Sequence, residues 1–141
     1  MADITVTAAD VRPLQGAITR RFTAGGTVAI GDLVYVASDG DVEKADADAA
    51  ASSIIAGVAV GTPDGGSSAS AGEEVDVVVF GPVTGFSSMT AGPYAFASTT
   101  AGKAETGAPA AASGDYVGIL GIIISATVIL VNPFTYDVTA Q

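Results

Sequence analysis

The run YVGILGIIISATVILV, residues 116–131, is the most apolar stretch of the chain, and its reading decides the fold. A helix that crosses a bilayer needs about 20 apolar residues, and this run is shorter. It is also interrupted by Gly118, Gly121, Ser125 and Thr127, with β-branched residues filling most of the other places. Such residues fit a pleated sheet better than a helix. The run therefore reads as two buried strands joined by a tight connection at Ser125 and Ala126. No membrane association is expected.

Working outward, strand signals recur along the whole chain. Residues 4–7 alternate apolar and polar, and 17–22 form a second short candidate carrying Arg20 and Arg21. Residues 27–30 and 33–37 flank a Gly31-Asp32 turn pair. Asp39-Gly40 is a strong hairpin dipeptide and leads into 42–45. Further strands are expected at 54–60, 74–80, 93–98, 116–120 and 127–131, with Gly, Ser, Thr and Pro clusters between them. Only residues 45–53 (ADADAAASS) have helical propensity, enough for one or two turns, and a loop fits them equally. Many short strands with turn signals between them argue for an all-β barrel- or sandwich-like domain with at most one short helix.

The strands also repeat. Gly31-x-Leu33-x-Tyr35 matches Gly92-x-Tyr94-x-Phe96 at an offset of 61, and Gly57-Val58 matches Gly118-Ile119 at the same offset. Each copy ends in an apolar strand closed by proline, Pro82 in one and Pro133 in the other. Two pseudo-repeated strand units, about 31–82 and 92–133, would suit a sheet that hides its edges. Residues 1–25 lie outside the repeat and read as an extended N-terminal arm, leaving 26–141 as a single β domain.

The chain has 141 residues, no Cys and no His. That removes disulfide staples, thiolate nucleophiles, the commonest metal ligands and the usual general base at neutral pH. With 27 Ala and 18 Gly, the large apolar side chains are confined to short stretches, and a partner surface would add much to the buried area. The net charge of −10 repels phosphates, so direct binding of nucleic acid is not expected. Three of the five basic residues, Arg12, Arg20 and Arg21, fall in the first 21 positions. A basic arm on an acidic body suits docking on an acidic neighbour.

Chemistry is thinly represented. The acidic groups Asp39, Asp41 and Glu43, then Asp46 and Asp48, then Glu73, Glu74 and Asp76 offer oxygen ligands, but none has the spacing of a calcium loop. No phosphate-binding loop is present, and no serine sits in a nucleophile elbow. No enzyme activity, cofactor, metal site or catalytic residue is expected. Tyr35, Phe80, Tyr94, Phe96 and Tyr116 read as packing residues of a core or a subunit interface. Phe134 and Tyr136, beyond the repeat, are candidates for an intersubunit contact.

Residues 24–45, AGGTVAIGDLVYVASDGDVEKA, followed by IIAGVAVG at 54–61, resemble the head decoration (capsid cement) proteins of tailed bacteriophages. Ala71-Gly72-Glu73-Glu74-Val75, the turn Gly81-Pro82-Val83-Thr84-Gly85 and AGPYAFASTTAGKAE at 91–105 continue the likeness, which covers about residues 16–133. The resemblance implies a small β-rich protein, commonly a homotrimer, on the outer surface of the virion head. There it would bind the major capsid protein and clamp neighbouring coat subunits against the pressure of packaged DNA. No motif of functional residues carries over. Arg12, Arg20, Arg21, Phe22, Phe134 and Tyr136 are the candidate capsid or intersubunit contacts. A tail-fibre or other virion β-domain, and a non-catalytic carbohydrate- or calcium-binding module, are the alternatives.

Overall fold

A computed structural model of the chain describes residues 3–106 and 116–139, with residues 134–139 as backbone alone. The protein is all-β: 52% of the chain is strand and 2% helical. The strands of the first half are β1 (Thr5–Val6), β2 (Arg12–Pro13), β3 (Ile18–Thr23), β4 (Val28–Ala29), β5 (Leu33–Val36), β6 (Val42–Lys44) and β7 (Ile55–Gly61). They are followed by β8 (Ser68–Ala69), β9 (Glu74–Thr84), β10 (Phe86–Ser87), β11 (Tyr94–Ala97), β12 (Ala104–Glu105), β13 (Tyr116–Ile123) and β14 (Val128–Thr139).

The main sheet is a curled antiparallel half-barrel with the order β12-β11-β13-β14-β9-β7-β5-β6. Read from either edge, this order runs through the same motif: a short edge strand, an aromatic strand, a glycine-containing strand, then a long apolar strand. The two long strands meet at the centre, where Val128–Val131 of β14 pair with Thr84–Gly81 of β9. The apolar run at 116–131 is the β13–β14 hairpin, with bends at Ser125–Thr127 between the strands.

Strand β9 is the hub. Its first part pairs with β3 from Thr23↔Glu74 to Ile18↔Phe80, and with β7 at Val58↔Val78. Its last part pairs with both β14 and β2, so that Thr84 stands opposite Val128 and Arg12. Both edges of β9 are thus occupied, and side chains from it enter two cores. Val78 and Val83 join the main cluster with Leu33, Leu120, Ile123 and Ile129. Val75 and Val77 join a second cluster with Val34 and Val42. Val28 and Ala69, from the β4–β8 pair, belong to that second cluster as well.

Residues 1–25 were expected to form an extended arm; their described part is instead woven into the sheet. Ile4 is 4% exposed, Val11 6%, and β2 and β3 lie along β9. The physical reason lies in β9 itself, whose apolar edge would otherwise present unpaired backbone groups. Two glycines permit the close approach. Gly81 and Gly85 adopt φ of +113° and +112°, and a Cβ there would strike the backbone of Ala17 and Val11.

Residues 45–53 form no helix; 47–53 are bends and turns. The Asp46 carboxylate accepts the Asp48 N–H at 3.0 Å and the Ser52 hydroxyl at 2.7 Å, a local alternative to helical hydrogen bonds. Among the described residues the one helical element is a single 3-10 turn, Ala8–Asp10.

Candidate docking surface

Strand β3 carries most of the residues singled out by charge. It pairs with β9, and among the described residues no strand pairs with its other edge. Residues 18–21 are exposed, Ile18 to 57%. An open strand edge of this length is a template for another strand, and folded proteins generally cover such edges or use them.

The arginines are not equivalent. Arg21 grips Asp76 on β9 through Nε–Oδ1 at 2.8 Å and Nη2–Oδ2 at 3.3 Å. The hydrogen bond and charge of Asp76 hold its guanidinium above its ordinary range. Arg20, next along the strand, projects to the opposite face and is exposed. Arg12 is exposed on β2 opposite Thr84 and lines a hollow of about 310 Å³ with Asp10, Thr84 and Phe86. Phe22 is half-buried against the second core opposite Val75, so much of its ring serves packing. Phe134 and Tyr136 stand opposite Ile119 and Val117 in the β13–β14 ladder; their side chains lie outside the described residues. The structure therefore gathers Arg12, Arg20, Arg21 and Phe22 on the β2–β3 side of β9.

Charge alone did not reveal the apolar groups around these cations. Leu14 just past β2, Ile18 on β3 and Phe80 on β9 are exposed. From there a row crosses the sheet: Pro82 of β9 opposes Leu130, which opposes Ile122, which opposes Tyr94. Directly opposed residues share one face, and Tyr94 is 51% exposed. The signal was present in the alternation Tyr94-Ala95-Phe96-Ala97. The two alanines are buried because Leu120 and Ile123 already fill the interior, and the larger rings turn outward. Tyr94 and Phe96 meet edge to face, with centroids 6.2 Å apart.

Two carboxylates are buried. Asp32, 4% exposed, accepts the Ala29 N–H at 2.9 Å and has the Lys44 ammonium at 3.9 Å. Burial pushes its carboxyl up, while the Ala29 N–H, Lys44 and Lys103 pull it back less strongly. Glu105, 5% exposed, stands opposite Asp3. Burial first and the Asp3 charge second push its carboxyl up. Among the described residues no three Asp or Glu side chains converge on a point that would hold a metal ion. No helix among them is long and apolar enough to cross a membrane. The acidic sequence groups lie mainly in turns and at strand ends, where Asp39, Asp46 and Glu73 accept nearby backbone N–H groups.

The chain matches no model of a known protein family, and no curated protein is significantly similar to it.

Proposed function

We propose that this protein is a bacteriophage capsid decoration protein that binds the outer surface of the mature head as a homotrimer. It would stabilise contacts between major capsid protein subunits. The observation that carries the reading is the open edge of β3, with exposed Arg20 and Ile18 on it and Arg12 and Leu14 beside it, on a body of net charge −10. An extended coat-protein segment would add to this edge as a further strand. Backbone hydrogen bonds would supply affinity and the flanking side chains specificity. The likeness of residues 16–133 to decoration proteins supports the same role.

A protein that binds the assembled shell and not its separated subunits stabilises the shell by mass action. No catalytic group enters into this. The experiment is deletion of the gene from the phage that carries it, followed by heating of the purified heads. Heads without the protein should release their DNA at a lower temperature, and added protein should restore the original value. Unchanged release, or recovery of the protein with tails instead of heads, would overturn the reading and favour a tail or fibre domain.

A further inference from the structure

Among the described residues, those from Asp3 to Thr7 are fastened to the sheet by a short set of contacts. Ile4 donates its N–H to the Ala104 carbonyl at 2.7 Å, and Thr7 donates to the Gly85 carbonyl at 3.0 Å. β1 pairs with β10 only through Thr5↔Ser87 and Val6↔Phe86. Among the described residues the outermost contact is the antiparallel bridge between Asp3 and Glu105. Opposed residues on antiparallel strands have Cβ atoms about 5 Å apart, and like charges there repel.

The surroundings keep that repulsion in place. Asp3 is exposed, but its Oδ1 accepts the Ser98 hydroxyl at 2.6 Å, and the Ser98 oxygen in turn accepts the Thr100 N–H at 3.0 Å. Glu105 is 5% exposed, with Phe96 of β11 opposite it on its other side. Of the charges that act on Glu105, that of Asp3 is the strongest and raises its carboxyl. Lys103, close by in sequence, acts on Asp32. A buried carboxylate with a carboxylate for its neighbour is costly to ionise.

We propose that Asp3 and Glu105 form a proton-controlled latch on the N-terminal strand. With Glu105 neutral, residues 3–6 stay fastened to β12 and β10; with both carboxylates charged, the fastening opens far more often. Opening uncovers the socket of Ile4 and the edges of β10 and β12, and frees an alternating apolar–polar strand to pair elsewhere. The sign follows from linkage. The latched state holds the Glu105 proton more tightly than the open state, where the carboxyl returns to its ordinary value of 4.5. The latch is therefore tightest below pH 4.5 and weakens as pH climbs through that value towards the raised one, levelling off above.

The test is amide hydrogen exchange on the full-length protein between pH 4 and 7.5, corrected for intrinsic rates, with the Ile4 amide as reporter and the β7 amides as the global reference. In the native protein, Ile4 protection relative to β7 should fall with rising pH, by about tenfold for each unit by which the latch raises the carboxyl. In Glu105→Gln the protection should stay near its acid value throughout. Asp3→Asn, at an exposed position, should raise Ile4 protection at pH 7 without moving β7. Flat protection in the native protein would overturn the latch, as would the same fall in both variants.

Discussion

Gly57 on β7 lies so close to Val78 on β9 that a Cβ at position 57 would run into the Val78 carbonyl oxygen. The same relation recurs in the other half of the sheet, where a Cβ on Gly121 of β13 would run into the Leu130 carbonyl of β14. Both contacts are with backbone that is itself paired in the sheet, so neither can yield cheaply. Gly57→Ala and Gly121→Ala should each destabilise the protein by about 3 kcal/mol, at the upper end of overpacking costs. Gly40→Ala, at a hairpin turn with φ of +90° and open space around it, should cost only about 1 kcal/mol. Urea unfolding of the three variants checks the ranking.

Removal of residues 1–22 should unfold the protein instead of trimming a free arm. The deletion strips β9 of its β2 and β3 partners and takes Ile4 and Val11 from the main core. Each lost side chain is worth about 2 kcal/mol of burial, against a total stability of about 5–15 kcal/mol for a typical domain. Circular dichroism of the truncated chain should show loss of cooperative melting. A native-like melt would contradict the weave described for this segment.

Asp32 makes stability depend on pH. Burial raises its carboxyl above the ordinary 3.8, so the folded state holds this proton more tightly than the unfolded state does. The residue therefore costs stability at neutral pH, and the cost fades as pH falls through the raised value towards 3.8. Asp32→Asn should flatten the melting-temperature profile between pH 4 and 7 while an amide oxygen still receives the Ala29 N–H. Asp32→Ala removes that acceptor as well and should be about 1 kcal/mol less stable than Asp32→Asn at every pH in this range.

The strands were legible in the chain because their signals are local. Alternation at 4–7, the Asp39-Gly40 turn and the break at Ser125–Ala126 each give a strand or hairpin where the structure has one. What could not be read was which edges those strands would occupy. The arginines suggested an arm, yet Ile4, Val11 and Ala24 are needed in the cores, and that requirement depends on where β9 lies. The site was half visible. Arg12 and Arg20 stand out by charge, whereas the Pro82–Leu130–Ile122–Tyr94 row forms only when four distant strands align. In 45–53, Asp46 and Ser52 bond to each other and to the backbone, which sets aside the alanine propensity.

The basic patch should act through charge. Arg12→Glu and Arg20→Glu together should leave the melting temperature nearly unchanged, because neither side chain is buried. They should weaken attachment to heads at low salt. The difference from the native protein should shrink near 1 M salt, where screening acts within about 3 Å. Sedimentation of the variant with stripped heads at two salt concentrations measures this.

The most direct measurement is sedimentation of the purified protein with expanded heads, and separately with tails, from a deletion mutant of the phage that carries its gene. Light scattering of the free protein should accompany it. The account predicts a free mass three times the 13.7 kDa of the chain, saturable binding to heads, no binding to tails, and a higher temperature of DNA release from the decorated heads. A protein that leaves heads unbound and their DNA release unchanged would contradict it.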